Sequence, residues 1–219
     1  NWLKAQGFKI DSPRSGRVTS EMPKGWDWDD GGPQWRSIAF NTENPPAYLP
    51  DFIEITGMPY QDIQSEWKPY SWRKYYDEHP NGVVGITQLQ IVVSDLKAAR
   101  NEFKKMGLWE LEANDSVASF KVAHNHQLQL IAPKSPGDEA GKFLKTRGPG
   151  VFAIRFEVKN LKATLDTLKK NLPAKALVAD TLSKLLIVLK EYTHGVQFEF
   201  KEESKAQAAL AKIYSFKEG

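Results

Sequence analysis

The sequence predicts an α+β fold in which two βαβββ modules, spanning residues 84–201, join into an open, curved mixed-sheet barrel. Three observations predict it. A strand–helix–three-strand pattern of apolar periodicity runs from Val84 to Ile131 and returns from Val151 to Phe200. The strand-to-helix junction is repeated, Val93-Ser94-Asp95-Leu96-Lys97-Ala98 against Val158-Lys159-Asn160-Leu161-Lys162-Ala163, at a spacing of 65 residues. The last strand of each unit alternates polar and apolar side chains, as a half-buried strand requires.

In the first module, Leu89, Ile91 and Val93 alternate with Gln88 and Gln90, which gives a strand over 84–93 with one apolar face. Ser94 is expected to cap a helix whose stripe is Leu96, Ala99, Phe103 and Met106 and which ends at Gly107. Strands follow at 108–113, 117–122 (after the Asn114-Asp115 turn) and 127–131. Residues 133–150 read as a connector holding a short helix at 138–144. The second module then has a strand at 151–158, an Asn160-capped helix with Leu161, Leu165 and Leu168 inward, and strands at 174–178, 184–189 and 195–200. Each sheet buries its apolar face against its helix, and its alternating polar face is left for a ligand.

Outside 84–201 the pattern is thinner. Residues 1–57 read as the end of a helix capped by Gly7, then strands at 17–22, 35–40 and 49–55. Between them, the Pro- and Gly-rich stretch 23–33 is a loop. That order suits the C-terminal part of a further βαβββ domain, and a chain opening on Asn1 is expected to be a processed form or a fragment. Residues 58–83 form an aromatic-rich linker (Tyr60, Trp67, Tyr70, Trp72, Tyr75, Tyr76), and 202–219 a final helix.

A net charge of +3, with no long basic block, argues against nucleic acid as a partner. No apolar run of about 20 residues occurs, so no membrane helix is expected, and a cytoplasmic location is the expectation. Cysteine is absent, which excludes disulfides, thiolate nucleophiles and sulfur-ligated metals. No phosphate-loop, dinucleotide-binding, His-Glu-x-x-His or Gly-x-Ser-x-Gly motif is present. The partner expected is a small molecule, with a homodimer as an option.

The repeat, its V-x-D-L-x-x-A junction and the closing strands Gln-Leu-Gln-Leu-Ile (127–131) and Val-Gln-Phe-Glu-Phe (196–200) resemble the vicinal-oxygen-chelate superfamily. This superfamily includes glyoxalase I, extradiol dioxygenases, methylmalonyl-CoA epimerase and drug-sequestering proteins. Leu49–Ile55 and the approach His79-Pro80-Asn81-Gly82 look more narrowly like its glyoxalase-like members. The resemblance implies a ligand from the first strand of each module, seven residues before the junction Asp, and another from the middle of each last strand. Those positions are Gln88, Gln129, Ala153 and Glu199. Ala153 has no donor, and two amides beside one carboxylate make a poor set for Zn²⁺, Ni²⁺ or Fe²⁺. No cofactor is therefore expected at 84–201, while a divalent metal is allowed in the N-terminal domain around Glu54, with Arg17 or Arg36 nearby.

The residues expected to carry function are Glu199, as a general base or as the partner of Arg155, and the ligand-binding set Gln88, Gln129, Arg155 and Glu54. Of the two readings of Glu199 the ion pair is preferred, and with it Arg155 would hold a carboxylate or phosphate. The histidines 79, 124, 126 and 194 stand in turns or a linker and read as solvated. Three functions remain open: a metal-free small-molecule binder, a metal-dependent lyase, isomerase or dioxygenase, and a structural or partner-binding protein.

Overall fold

The computed structural model describes residues 2–17, 34–40, 48–56, 79–123 and 126–202, and the chain divides into two compact units, Asn1–Arg73 and Lys74–Gly219. The expected loop at 23–33, most of the aromatic linker, His124 and the C-terminal helix lie outside the described residues.

In the first unit, helix α1 (Trp2–Ala5) ends at Gly7, whose φ of 86° lets its N–H reach the carbonyl of Lys4 at 3.0 Å. Strands β1 (Arg14–Arg17), β2 (Gln34–Ile38) and β3 (Phe52–Thr56) form an antiparallel sheet in chain order. The strand expected at 17–22 is observed at Arg14–Arg17, so Gly16 lies within β1 beneath Trp35, where an added Cβ would come within 2.7 Å of the indole ring. Phe40 is buried between Phe8 and Phe52, with ring centroids at 5.4 and 6.2 Å.

The second unit is a two-layer structure built on one mixed sheet. Module 1 consists of β4 (Val83–Val92), α2 (Leu96–Lys105), β5 (Trp109–Ala113), β6 (Val117–Ala123) and β7 (His126–Ile131). Helix α3 (Glu139–Arg147) lies in the connector. Module 2 repeats the plan with β8 (Gly150–Val158), α4 (Leu161–Asn171), β9 (Leu177–Asp180), β10 (Leu185–Val188) and β11 (Gln197–Glu202). The strand order is β5-β6-β7-β4-β8-β11-β10-β9. First and last strands pair in parallel within each module, and β4 and β8 join the modules antiparallel. The sheet is open, with β5 and β9 as its edges.

Register explains why both helices lie on one face. Leu89 stands opposite Leu128 on one side and Ile154 on the other, so the apolar rows of the two modules continue one another. Against this face α2 places Ala99, Phe103 and Met106 beside the buried Phe120 and Leu130. Under α4, Leu161, Leu165 and Leu168 pack on Val158, Leu186, Val188 and Phe200. Phe156 stacks with Phe200 at 5.4 Å and meets Phe198 edge-on at 5.2 Å. This burial is the main stabilisation, at about 25 cal/mol per Å² removed from water.

Several boundaries differ from the sequence reading. Asp95, not Ser94, caps α2: its backbone is extended and its Oδ1 accepts from the N–H of Ala98 at 2.9 Å. The strand expected at 174–178 begins only at Leu177, because Pro173 opens a short 3-10 turn over Ala174–Ala176. The connector helix runs to Arg147, three residues beyond its expected end. Asp138 caps it and accepts from Lys134, Ser135 and Gly141, which holds its carboxyl below the usual range. No described helix is long and apolar enough to cross a membrane.

Candidate functional site

The face opposite the helices is polar where the modules meet. Across the sheet, Gln127, Gln88, Arg155 and Glu199 are successive register partners on β7, β4, β8 and β11. A second row alongside them runs through Ser119, Gln129, Gln90, Ala153 and Gln197 on β6, β7, β4, β8 and β11. Side chains at register partners share a face. The junction therefore gathers polar groups from first and last strands of both modules.

Glu199 is the hub. It is 5% exposed, and its Oε2 accepts from Arg155 Nε at 2.9 Å, Arg155 Nη2 at 2.7 Å and Gln90 Nε2 at 2.8 Å. Its Oε1 accepts from Gln197 Nε2 at 3.0 Å. A buried carboxylate needs such pairing, since burying an uncompensated charge is costly. Gln88, 6% exposed, makes one side-chain hydrogen bond among the described residues: its Oε1 accepts from Gln90 Nε2 at 3.5 Å, the outer limit for such a bond. Gln129 belongs to a separate chain, donating to Ser119 Oγ at 3.2 Å, which in turn donates to Glu112 at 3.3 Å.

Of the residues expected to carry function, the structure thus brings Gln88, Arg155 and Glu199 together and sets Gln129 apart. Glu54 of β3 stands opposite Arg36 of β2 in register, while Arg17 pairs with Gln34. His79, His126 and His194 are exposed, and His194 has a positive φ of 56° in its turn. Gln90 and Gln197 were not foreseen as members of the site. Both alternate with expected residues, Gln90 two positions from Gln88 and Gln197 two from Glu199, and that spacing was the signal available for finding them.

The metal that the resemblance implies does not fit these residues. Ala153 offers no donor and is fully buried, packed with Val92, Phe152 and the Phe143 ring of α3. Glu199 already has a cation, the Arg155 guanidinium, 2.7 Å from its Oε2. An ion entering here would meet that like charge. Among the described residues no group of three or more His, Asp or Glu side chains could hold a metal.

No family model matches this chain. No curated protein matches it either. Among solved structures it is similar to methylmalonyl-CoA epimerase from Mycobacterium tuberculosis, at 26% identity over 58% of this chain and 93% of that one, with a TM-score of 0.46. It is also similar to a hypothetical protein from Bacillus halodurans, at 20% identity over 55% of this chain and 94% of that one, TM-score 0.47. A third is methylmalonyl-CoA epimerase from Streptomyces coelicolor, at 20% identity over 56% of this chain and 99% of that one, TM-score 0.46.

Proposed function

We propose that the polar face shared by the two modules binds a small polar metabolite through Arg155 and Gln88, without a metal ion among Gln88, Gln129, Ala153 and Glu199. The observation that carries this reading is Gln88. It is a nearly buried amide whose Nε2 has no partner among the described residues, beside a guanidinium whose Nη1 also has none. Buried polar groups are normally hydrogen-bonded, and an unmet donor costs about 1–3 kcal/mol, so a ligand acceptor at this place would recover that cost.

In this reading Glu199 does not take a proton from the ligand. It holds Arg155 in place, and Gln90 and Gln197 hold Glu199. The role of Glu199 is positioning, and the contact is made by Arg155 and Gln88.

The test is a ligand-observed NMR screen of small metabolites against the whole chain, with each hit re-measured on Gln88→Leu and Arg155→Ala proteins. Hits that weaken at least ten-fold in both variants support the site. Hits indifferent to both changes, on variants that stay folded by circular dichroism, place binding elsewhere and defeat the proposal.

A further inference from the structure

Resting on the reading of this face as a ligand site, we infer that the group it recognises is a carboxylate, held end-on by Arg155 Nη1 and Nη2 with Gln88 Nε2 as a third donor. The geometry of the ion pair favours a group that presents two oxygens to one edge, as a carboxylate does. Arg155 meets Glu199 through Nε and Nη2, the lateral edge of the guanidinium, and both bonds converge on one oxygen, Oε2. The terminal edge, formed by Nη1 and the outer proton of Nη2, remains a planar two-donor fork with no partner at Nη1 among the described residues. A planar group with two oxygens matches that fork with two parallel bonds, which a single carbonyl or hydroxyl cannot do.

Gln88 is the independent observation. It is Arg155's register partner on the neighbouring strand, it is 6% exposed, and its amide nitrogen has no partner among the described residues. If the amide is turned over, its donor faces Gln90 Nε2 and its oxygen is left open. The orientation with nitrogen outward therefore keeps the donor–acceptor contact and aims a donor beside the fork.

Charge decides whether a second anion is tolerated next to Glu199. The charged groups on this face of the sheet are Arg155 and Glu199 at the junction, the nearly buried Glu157 two residues along β8 with Lys201 opposite it on β11, Asp180 on β9, and Lys121 and Glu112 further out on β6 and β5. A carboxylate on the terminal edge is in contact with the guanidinium, whereas Glu199 lies on the lateral edge, farther from it. Coulomb energy falls with distance, so attraction by the nearer charge prevails. The Glu199 charge is also dispersed over Gln90 and Gln197.

The experiment titrates the whole chain with matched pairs of small acids and their amides: propionate with propionamide, and benzoate with benzamide. It follows the Arg155 Nε–H and Gln88 side-chain NH₂ signals by ¹H–¹⁵N NMR. The expected result is that the acids move both signals and saturate, with their amides at least ten-fold weaker. Arg155→Lys, which keeps the charge and loses the fork, and Gln88→Leu should each weaken the acids about ten-fold. Amides binding as well as the acids would overturn the carboxylate assignment and leave the ligand site standing. Neither signal moving with any of the four compounds overturns the assignment, and if the wider metabolite screen also leaves both signals still, the ligand site falls with it.

Discussion

The two modules of the second unit share a backbone plan and divide the chemistry of their common face. At the junction module 1 contributes amides, Gln88, Gln90, Gln127 and Gln129, with the hydroxyl of Ser119; module 2 contributes the charges, Arg155 and Glu199, with Gln197. Module 1 does hold a tight ionic group, but on the opposite side: Arg100 and Lys104 of α2 clasp Glu110 of β5, with Arg100 Nη2 at 2.6 Å and Lys104 Nζ at 3.1 Å. The repeat duplicates packing and caps without duplicating the site. The position seven residues before the cap is Gln88 in one module and Ala153 in the other. The first is polar and the second lies buried in an apolar cluster with Val92, Phe143 and Phe152.

The sharpest way to break this comparison is to delete the hub. Glu199→Ala leaves Arg155 without its counter-charge in a largely buried place and should cost about 2–4 kcal/mol by urea unfolding, whereas Gln129→Ala in the amide half should cost about 1 kcal/mol or less. Glu199→Gln, which keeps the shape, should fall between. Equal losses at Glu199 and Gln129 would show that the charged half has no special weight.

The caps test what the modules have in common. Asp95→Ala and Asn160→Ala each remove one side-chain bond to an N–H three residues on, at 2.9 and 2.8 Å, and each should cost about 1 kcal/mol. A large inequality between them would mean that the repeat is not energetically equivalent at this junction.

Sequence alone revealed the elements and their order because apolar periodicity, caps and turn residues are local. Leu96, Phe103, Leu161 and Leu168 announce their helix faces through spacing, and Asn160 was legible as a cap. What was not legible is register. Nothing near Gln88 in the chain says that Arg155 lies beside it, because that pairing joins strands 67 residues apart through irregular antiparallel contacts with bulges near 87 and 90. The Arg155–Glu199 pair was foreseen from their places on two strands of one module, but Gln90 reaching across to Glu199 was not. Ala153 was readable as a residue without a donor; that it is buried in one apolar cluster with Phe143 depends on where the connector helix docks.

The smallest expected effect sharpens the comparison from the helix side. The hydrogen bond from Arg100, with help from Lys104, holds the Glu110 carboxyl down from 4.5 to about 2. A carboxyl with a folded value below its unfolded one adds stability above the unfolded value, and that stability is lost as pH falls toward the folded one. Wild type should therefore shed this increment between about pH 4.5 and 2, and Glu110→Gln should reduce the dependence in that window, leaving the part due to other carboxyls held low such as Asp138, while leaving ligand binding unchanged. The readout is unfolding free energy against pH. The effect is modest because Arg100 and Lys104 are substantially exposed.

The central claim is that Glu199 is satisfied by the protein's own guanidinium rather than by a metal. The most direct test is elemental analysis of the untagged whole chain after exposure to excess Ni²⁺, Zn²⁺, Mn²⁺ or Fe²⁺ and removal of free ions. The account predicts no bound metal whose retention depends on Glu199. About one ion per chain, kept by the wild type and lost from a folded Glu199→Ala protein, would contradict it.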